Sequence, residues 1–288
     1  MFVFLFASNF KMNECFGEKF ILNGALQSVN SFDNSLVYEG SSVYEVIRMV
    51  KGSPVFFYDH MDRLASSVNM QGKKMLADVK ELRRDIINLT KTERKKEKNL
   101  KIVFNYNNDS SSYLVYFIES VYPGREQYKN GVRGTLFYAE RKNPNSKVIN
   151  HKLKISITRK LLLDGSYEVL LVNEQGLITE GSRSNIFFLK NQTLITAPDS
   201  MILSGITRKY IMKICEENNI KVELECVRAD RLSEYDAVFM TGTSPMVLPF
   251  CCIDTINFKA GLPIFDKLRM LYLEKVGESI HRFRSEQT

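Results

Sequence analysis

The 288-residue sequence predicts an α+β fold in two domains. Three observations carry this. β-rich runs closed by tight-turn residues crowd both halves of the chain. The amphipathic helical stretches do not alternate with single strands, which argues against a doubly wound parallel sheet. A stretch rich in turn formers, "YPGREQYKNG" (122–131), separates the two groups of strands. The expected division is an irregular tail over 1–17, a smaller domain over 18–121, a linker over 122–131 and a larger, mostly β domain over 132–288.

The elements follow in order. "MFVFLFASNFK" is apolar, but it lacks a basic n-region and its apolar part is short for a signal peptide, so it reads as a tail. "KFILNGALQSV" reads as two short strands around Asn23-Gly24, a dipeptide suited to a two-residue hairpin turn. "SSVYEVIRMVKGSPVFFYDH" repeats the device, with β-rich runs on both sides of a Gly-Ser-Pro turn. "HMDRLASSVNMQG" reads as a helix with Met61, Leu64, Ala65 and Val68 on one face, and "VKELRRDIINLTK" as a second. "LKIVFNYNN" and "SSYLVYFIESVYP" complete the first half as strands. Further strands are expected at "VRGTLFYAE", "YEVLLVN", "NIFFLKNQTLIT", "IKVELECV", "DAVFMTG" and "VLPFCCI", with helices over 206–218 and 264–283. "LKISIT" is ambiguous. It alternates like a strand, yet Ile149, Leu153, Ile157 and Leu161 form a helical i, i+4 stripe.

Composition narrows the function. Hydrophobic residues at 44% and charged residues at 25% are ordinary for a soluble globular protein. No apolar run is long enough to cross a bilayer. The net charge of +7 is spread over scattered Lys and Arg. The exception, "KTERKKEKNLK" (91–101), mixes in glutamates and reads as a solvated helix end. This mild excess suits anionic small ligands. Five cysteines and three histidines show no metal-ligand spacing, so no metal site is expected. The adjacent Cys251 and Cys252 do not easily join without strain, and sparse cysteine use fits a reducing cytoplasm.

Five stretches are candidates for chemistry. "SKVINHKLK" sets Lys147, Lys152 and Lys154 close together, so one of them is a candidate reactive amine. "LSGITRKYIMKICEENN" opens a helix at Ser204 or Gly205. Its first N–H groups carry partial positive charge, and with the Thr207 hydroxyl they form a seat for phosphate in principle. "FMTGTSPMVLP" sets hydroxyls and a glycine at a strand end, donors of the same kind. "GLITEGSRSNIFFL" places Glu180 in a polar turn between apolar strands, either facing solvent or held to pair with a cation. "YDHMDRLASS" puts Arg63 one turn into a helix, as a surface charge or as a fork for phosphate or carboxylate. Each stretch alone has an ordinary structural reading.

Together, in this order and with "RKNPNSKVIN" (141–150), these fragments resemble the class IV aminotransferases, the fold-type IV pyridoxal-phosphate enzymes. That group includes branched-chain aminotransferases, D-amino acid aminotransferases and aminodeoxychorismate lyases. The resemblance spans residues 18–260. It implies that Lys147 bonds to pyridoxal 5′-phosphate, because Arg141, Pro144, Lys147 and Asn150 match the family's spacing where Lys152 and Lys154 do not. It implies that the segment after Lys147 is helical and that Glu180 faces the pyridine nitrogen, with Ser182 and Asn185 steadying its turn. It places the phosphate at Gly205, Ile206 and Thr207, closed by Thr243 and Arg63, with Leu203 on the ring face. Arg141 is expected near the cofactor, and Tyr44, Glu45 and His60 along the substrate pocket.

The sequence also departs from the family. Asn34 stands where an arginine is common. "IVFNYNND" lacks the Arg-x-His carboxylate trap of the D-amino acid enzymes, and the glycine-rich run of many branched-chain enzymes is missing. The resemblance therefore implies an aminotransferase of branched-chain or D-amino-acid-like range, acting on an amino acid and a 2-oxo acid as a homodimer, with no nucleic acid or membrane partner. A lyase that eliminates pyruvate with the same lysine is the alternative. A basic, non-enzymatic polyanion-binding protein is the alternative of another class.

Overall fold

The computed structural model describes residues 13–92, 97–107, 110–141 and 143–286. The expected tail thus lies mostly outside the described residues, as do residues 93–96 of the charged run. The chain divides into two units. One holds residues 1–120, 146–151 and 280–288, the other 121–145 and 152–279.

In the first unit, β1 (Lys19–Leu22) and β2 (Ala25–Ser28) form the expected hairpin, with Asn23 and Gly24 both at positive φ. A short α1 (Ser35–Tyr38) leads into the long β3 (Ser41–Val50). The next turn is not the expected Gly-Ser-Pro. Lys51 and Gly52 take positive φ, and Ser53-Pro54 already pair with β3 as β4 (Ser53–Pro54). "VFF" is not a strand either: the chain turns at Phe56 (φ 52°) into α2 (Phe57–Met70). Phe56 and Phe57 are both buried, so this apolar run anchors the start of a helix in the core. α3 (Val79–Thr92), β5 (Asn99–Tyr106) and β6 (Ser111–Ile118) follow. The six-stranded sheet has the order β2-β1-β6-β5-β3-β4.

Strand alternation sets what each face carries. Val43, Glu45, Ile47 and Met49 are buried along β3. Val43, Ile47 and Met49 share a cluster with Met61, Leu64 and Val68 of α2 and Leu82, Ile86 and Leu89 of α3. Each such buried aliphatic side chain contributes about 1.5–3 kcal/mol. A separate cluster holds Phe20, Val103, Leu114 and Tyr116, with Tyr38 and Tyr44 packed against it.

The second unit begins with α4 (Arg125–Asn130), inside the stretch read as a linker, and β7 (Val132–Tyr138). The ambiguous segment is helix α5 (His151–Asp164). Leu153, Ile157 and Leu161 pack together against Val169 and Leu171, so the four-residue stripe, not the alternation, decided its form. Next come β8 (Glu168–Val172), β9 (Leu177–Gly181), the hairpin β10 (Asn185–Lys190) and β11 (Thr193–Thr196), and α6 (Ile206–Glu217). β12 (Val222–Leu224), β13 (Val227–Arg228), β14 (Ala237–Gly242), β15 (Met246–Ile253), β16 (Ile256–Asn257) and α7 (Pro263–Ser285) complete it, with residues from Ile280 grouped in the first unit. The sheet order is β12-β11-β10-β14-β15-β7-β8-β9-β13, with β16 on β15. The pairs β11–β12, β15–β7 and β7–β8 are parallel and the others antiparallel. The architecture is the α+β arrangement that the sequence predicts.

Candidate active site

In the first unit, α2 and its C-cap present polar groups at helical spacing: His60, Arg63 and Ser67 on the helix and Gln71 at the cap. Two of them hold Glu45, which is fully buried on β3. Arg63 grips it with Nε on Oε1 at 2.8 Å and Nη2 on Oε2 at 2.7 Å, and His60 Nδ1 lies 2.7 Å from Oε2. Burial alone would push the Glu45 carboxyl up. The Arg63 guanidinium outweighs it, with help from His60, and holds the group at about 2. Burial pushes the His60 imidazole below its ordinary value, against the pull of Glu45, and the charges of Arg63 and Lys147 push the same way.

The other two polar groups serve Lys147. Its backbone N–H donates to Ser67 Oγ at 3.2 Å, and its carbonyl accepts from the Tyr44 N–H at 3.1 Å. Gln71 Nε2 donates to Ser146 Oγ at 3.1 Å, and the Ile149 N–H donates to the Ser42 carbonyl at 3.1 Å. The lysine is thus tied by its backbone between α2 and β3. Its ammonium lies 4.8 Å from the Tyr44 ring centroid, within cation–π range. Lys147 is half-buried, whereas Lys152 and Lys154 stand exposed on α5.

In the second unit, Glu180 is not in a turn. It is the penultimate residue of β9 and only 3% exposed. Its Oε1 accepts from Arg141 Nη1 at 3.1 Å and its Oε2 from the Leu203 N–H at 3.1 Å. Asn185 Nδ2 donates to the Leu203 carbonyl at 2.8 Å. Leu203 is therefore fixed on both sides of its peptide, two residues before Gly205, the N-cap of α6. A Cβ at Gly205 would overlap Asn185 Oδ1, so the close approach of this loop to β10 requires glycine. The first N–H groups of α6, at Ile206 and Thr207, have no acceptor inside the helix. Thr207 is buried, and its hydroxyl meets Tyr272 Oη at 3.2 Å. Thr243 follows β14, where Thr241 pairs with Asn185 across the sheet.

The structure gives four of the expected site residues partners of their own. Glu45 and His60 were expected along the substrate pocket, but both are buried in one ion-pair network, because β3 turns Glu45 toward α2. Arg63 spends Nε and Nη2 on Glu45. Ser182, expected to steady Glu180, bonds to Glu168. Its N–H and hydroxyl both donate to Glu168 Oε1, at 3.1 Å for the N–H, while Ser184 Oγ donates to Oε2 at 2.9 Å. Glu168 has no solvent exposure, and sequence reasoning missed it. The signal was a carboxylate inside the apolar run "YEVLLV". The helical spacing of Ser67 and Gln71 relative to Arg63 was a similar signal.

The Amino-transferase class IV family profile matches residues 42–253. A D-alanine aminotransferase from Bacillus licheniformis is 27% identical over 235 residues, 78% of this chain and 83% of that protein. A probable branched-chain-amino-acid aminotransferase from Thermotoga maritima is 30% identical over 213 residues, 72% of this chain and 76% of that one. Among solved structures, a branched-chain aminotransferase from Thermoproteus uzoniensis superimposes with a TM-score of 0.80 at 23% identity, covering 91% of this chain and 95% of that one. A structure from Legionella pneumophila named as a 4-amino-4-deoxychorismate lyase gives 0.73 at 24% identity, covering 82% and 91%. The chain belongs to the class IV aminotransferase family and is an enzyme of that class.

Proposed function

We propose that this enzyme uses pyridoxal 5′-phosphate to move an amino group between an amino acid, branched-chain or D-amino-acid-like, and a 2-oxo acid. The observation that carries the reading is Lys147: half-buried, over an aromatic ring and tied by both backbone groups, while its two neighbouring lysines face solvent. The donor set fits the cofactor. Glu180 is a buried carboxylate suited to a protonated ring nitrogen. Gly205, Ile206 and Thr207 form a helix start suited to a phosphate.

When bound, the cofactor would supply a reactive aldehyde carbon and an electron-accepting ring. Lys147 would be the amine that bonds to it, and a nucleophilic amine must be neutral to attack. The Lys147 amine would also be the base placed to take the proton from the substrate Cα and to return it. Glu180 would be the carboxylate facing the protonated ring nitrogen, and Arg141 Nη1 orients it by donating to Oε1. Ile206, Thr207 and Thr243 would donate to the phosphate, Arg63 would add positive charge, and Leu203 would pack on the ring. Ser182 and Asn185 hold the flanking loops, and Tyr44 faces the substrate.

The test is the visible absorbance of the purified protein after pyridoxal phosphate is added. Lys147→Ala should abolish the band of lysine-bound cofactor, and Lys152→Ala should keep it. The reverse result assigns the amine elsewhere. Bleaching by one member of a panel of L- and D-amino acids identifies the substrate class. Pyruvate release from aminodeoxychorismate without a 2-oxo acid would instead assign elimination.

Two further parts belong to this proposal. A homodimer is supported by exposed Tyr138, Ile155, Leu162 and Leu163 on the second unit, and light scattering tests it. A cytoplasmic setting is supported by sparse cysteine use, with no disulfide among the described residues, and fractionation tests it.

A further inference from the structure

In the large sheet β15 lies between β14 and β7, and its register slips against β7. Phe250 pairs with Val132 and Cys252 with Arg133, so two steps along β15 match one step along β7. Cys251 is the extra residue of a β-bulge. Successive side chains of a regular strand point to opposite faces. The bulge cancels that alternation, and the sulfurs of Cys251 and Cys252 lie 4.0 Å apart. The other edge of β15 holds the backbone in this form: the Phe258 N–H donates to the Cys251 carbonyl at 2.8 Å, and Cys252 pairs with Asn257 of β16. Cys251 is half-buried and Cys252 is 8% exposed.

Direct bonding of the two sulfurs is strained. Adjacent Cα atoms stand ~3.8 Å apart across a trans peptide, against about 4.4–6.8 Å in ordinary disulfides, and the sulfurs would have to close to ~2.05 Å. One bridging atom relieves that strain. Two sulfurs bonded at ~2.3 Å to a tetrahedral centre stand about 3.8 Å apart, close to the 4.0 Å observed. A pyramidal centre of similar bond length draws them somewhat closer. A zinc-like ion would need further ligands. Asp254 is the nearest carboxylate in sequence, and its Oδ1 already accepts from the Thr135 hydroxyl at 2.7 Å and the Leu136 N–H at 3.3 Å. Among the described residues no group of three or more His, Cys, Asp or Glu could hold a metal ion. The pair therefore suits a centre that needs two protein sulfurs and no more. The other cysteines have different surroundings. Cys15 and Cys215 are buried, with burial pushing the Cys215 thiol up to about 12, and Cys226 meets Met201 Sδ at 3.5 Å.

We infer that Cys251 and Cys252 form a chelating dithiol site for trivalent organoarsenicals, thiophilic centres that carry one carbon substituent and take two sulfurs. The step is a condensation. Two S–H bonds and the bond from arsenic to its oxo group break, two As–S bonds form, and the two thiol protons leave with the oxygen as one water. Arsenic stays trivalent, so nothing is oxidised or reduced. The site lies outside the residues assigned to cofactor and substrate, and it does not depend on the aminotransferase reading.

Phenylarsine oxide, added to cofactor-loaded enzyme that has been reduced and freed of reductant, tests this by free-thiol count and intact mass. One equivalent should mask two thiols, and the mass should rise by one molecule of the oxide less one water. A small dithiol should strip the group off, and a monothiol at equal thiol concentration should not. Protease digestion should place the arsenic on a single peptide that holds both Cys251 and Cys252. Cys251→Ser and Cys252→Ser should each weaken binding about a hundredfold or more, because the second sulfur no longer binds as an intramolecular partner. Cys226→Ser should bind as the unmodified enzyme does. The digest is read on the unmodified enzyme, so it decides even where a substitution harms folding. The inference is overturned if the reagent masks one thiol or none, if a monothiol removes it as readily as a dithiol, or if the arsenic maps to Cys15, Cys215 or Cys226. Binding by either serine variant as tight as that of the unmodified enzyme overturns it too.

Discussion

Replacing Glu45 by Gln removes the counter-charge of Arg63 and the partner of His60 while keeping the side-chain shape. The structure sets the size of the effect. The Glu45 carboxyl is lowered from its ordinary 4.5 to about 2. That gap corresponds to about 3 kcal/mol of stability at 1.36 kcal/mol per unit, in line with the 3–5 kcal/mol typical of breaking a buried pair. The sign follows from linkage. The unfolded chain binds this proton more readily, so the contribution is fully present above pH 4.5 and is lost as the pH falls through 2. Urea unfolding of wild type and Glu45→Gln should therefore differ by about 3 kcal/mol at pH 7 and by only about 1–1.5 kcal/mol at pH 3. His60 adds an acid-side loss of its own, beginning as the pH falls below its ordinary 6.5, so the difference between the two proteins is the quantity to follow. A difference that stays below about 1 kcal/mol at every pH would refute the reasoning, because Arg63 would then not depend on Glu45.

Three other outcomes are expected. Gly205→Ala forces Asn185 away from Leu203. It should cost about 1–3 kcal/mol in unfolding experiments and weaken pyridoxal phosphate retention on dialysis; unchanged stability would show that the loop yields freely. Glu168→Ala leaves the Ser182 N–H and two hydroxyls without their acceptor, at about 1–3 kcal/mol for each group that stays unsatisfied, and hydrogen exchange should rise at residues 181–184; unaltered exchange would remove Glu168 from its holding role. Leu64→Ala, at a site with no exposure, should cost about 2–5 kcal/mol, against within about 0.5 kcal/mol for Met70→Ala on the exposed end of the same helix. Equal losses would mean that α2 does not pack as described.

Much of the fold was legible because local chemistry and tertiary packing agree. Asn23-Gly24 accepts the positive φ that its hairpin needs, and Leu153, Ile157 and Leu161 bury one helical stripe. "VFF" misled because apolar β-formers also suit the buried start of a helix. For the candidate site, motif order singled out Lys147 and Glu180, but not their supports. Ser67, Gln71 and Glu168 carry no motif. Each is an ordinary polar residue until folding brings its partner from 14 to 80 positions away.

The sequence by itself determined most of the strand and helix pattern and the Asn23-Gly24 turn, since these depend on periodicity and backbone freedom along one segment, while the choice of Lys147 over its neighbours came from the resemblance to the family. Only the tertiary structure decided that Glu45 is a buried partner of Arg63 and that Glu180 lies within strand β9, held by Arg141 and the Leu203 N–H. A charge's surroundings are made by residues remote in the chain, and it is those surroundings that decide whether it is solvated, paired or poised for a ligand.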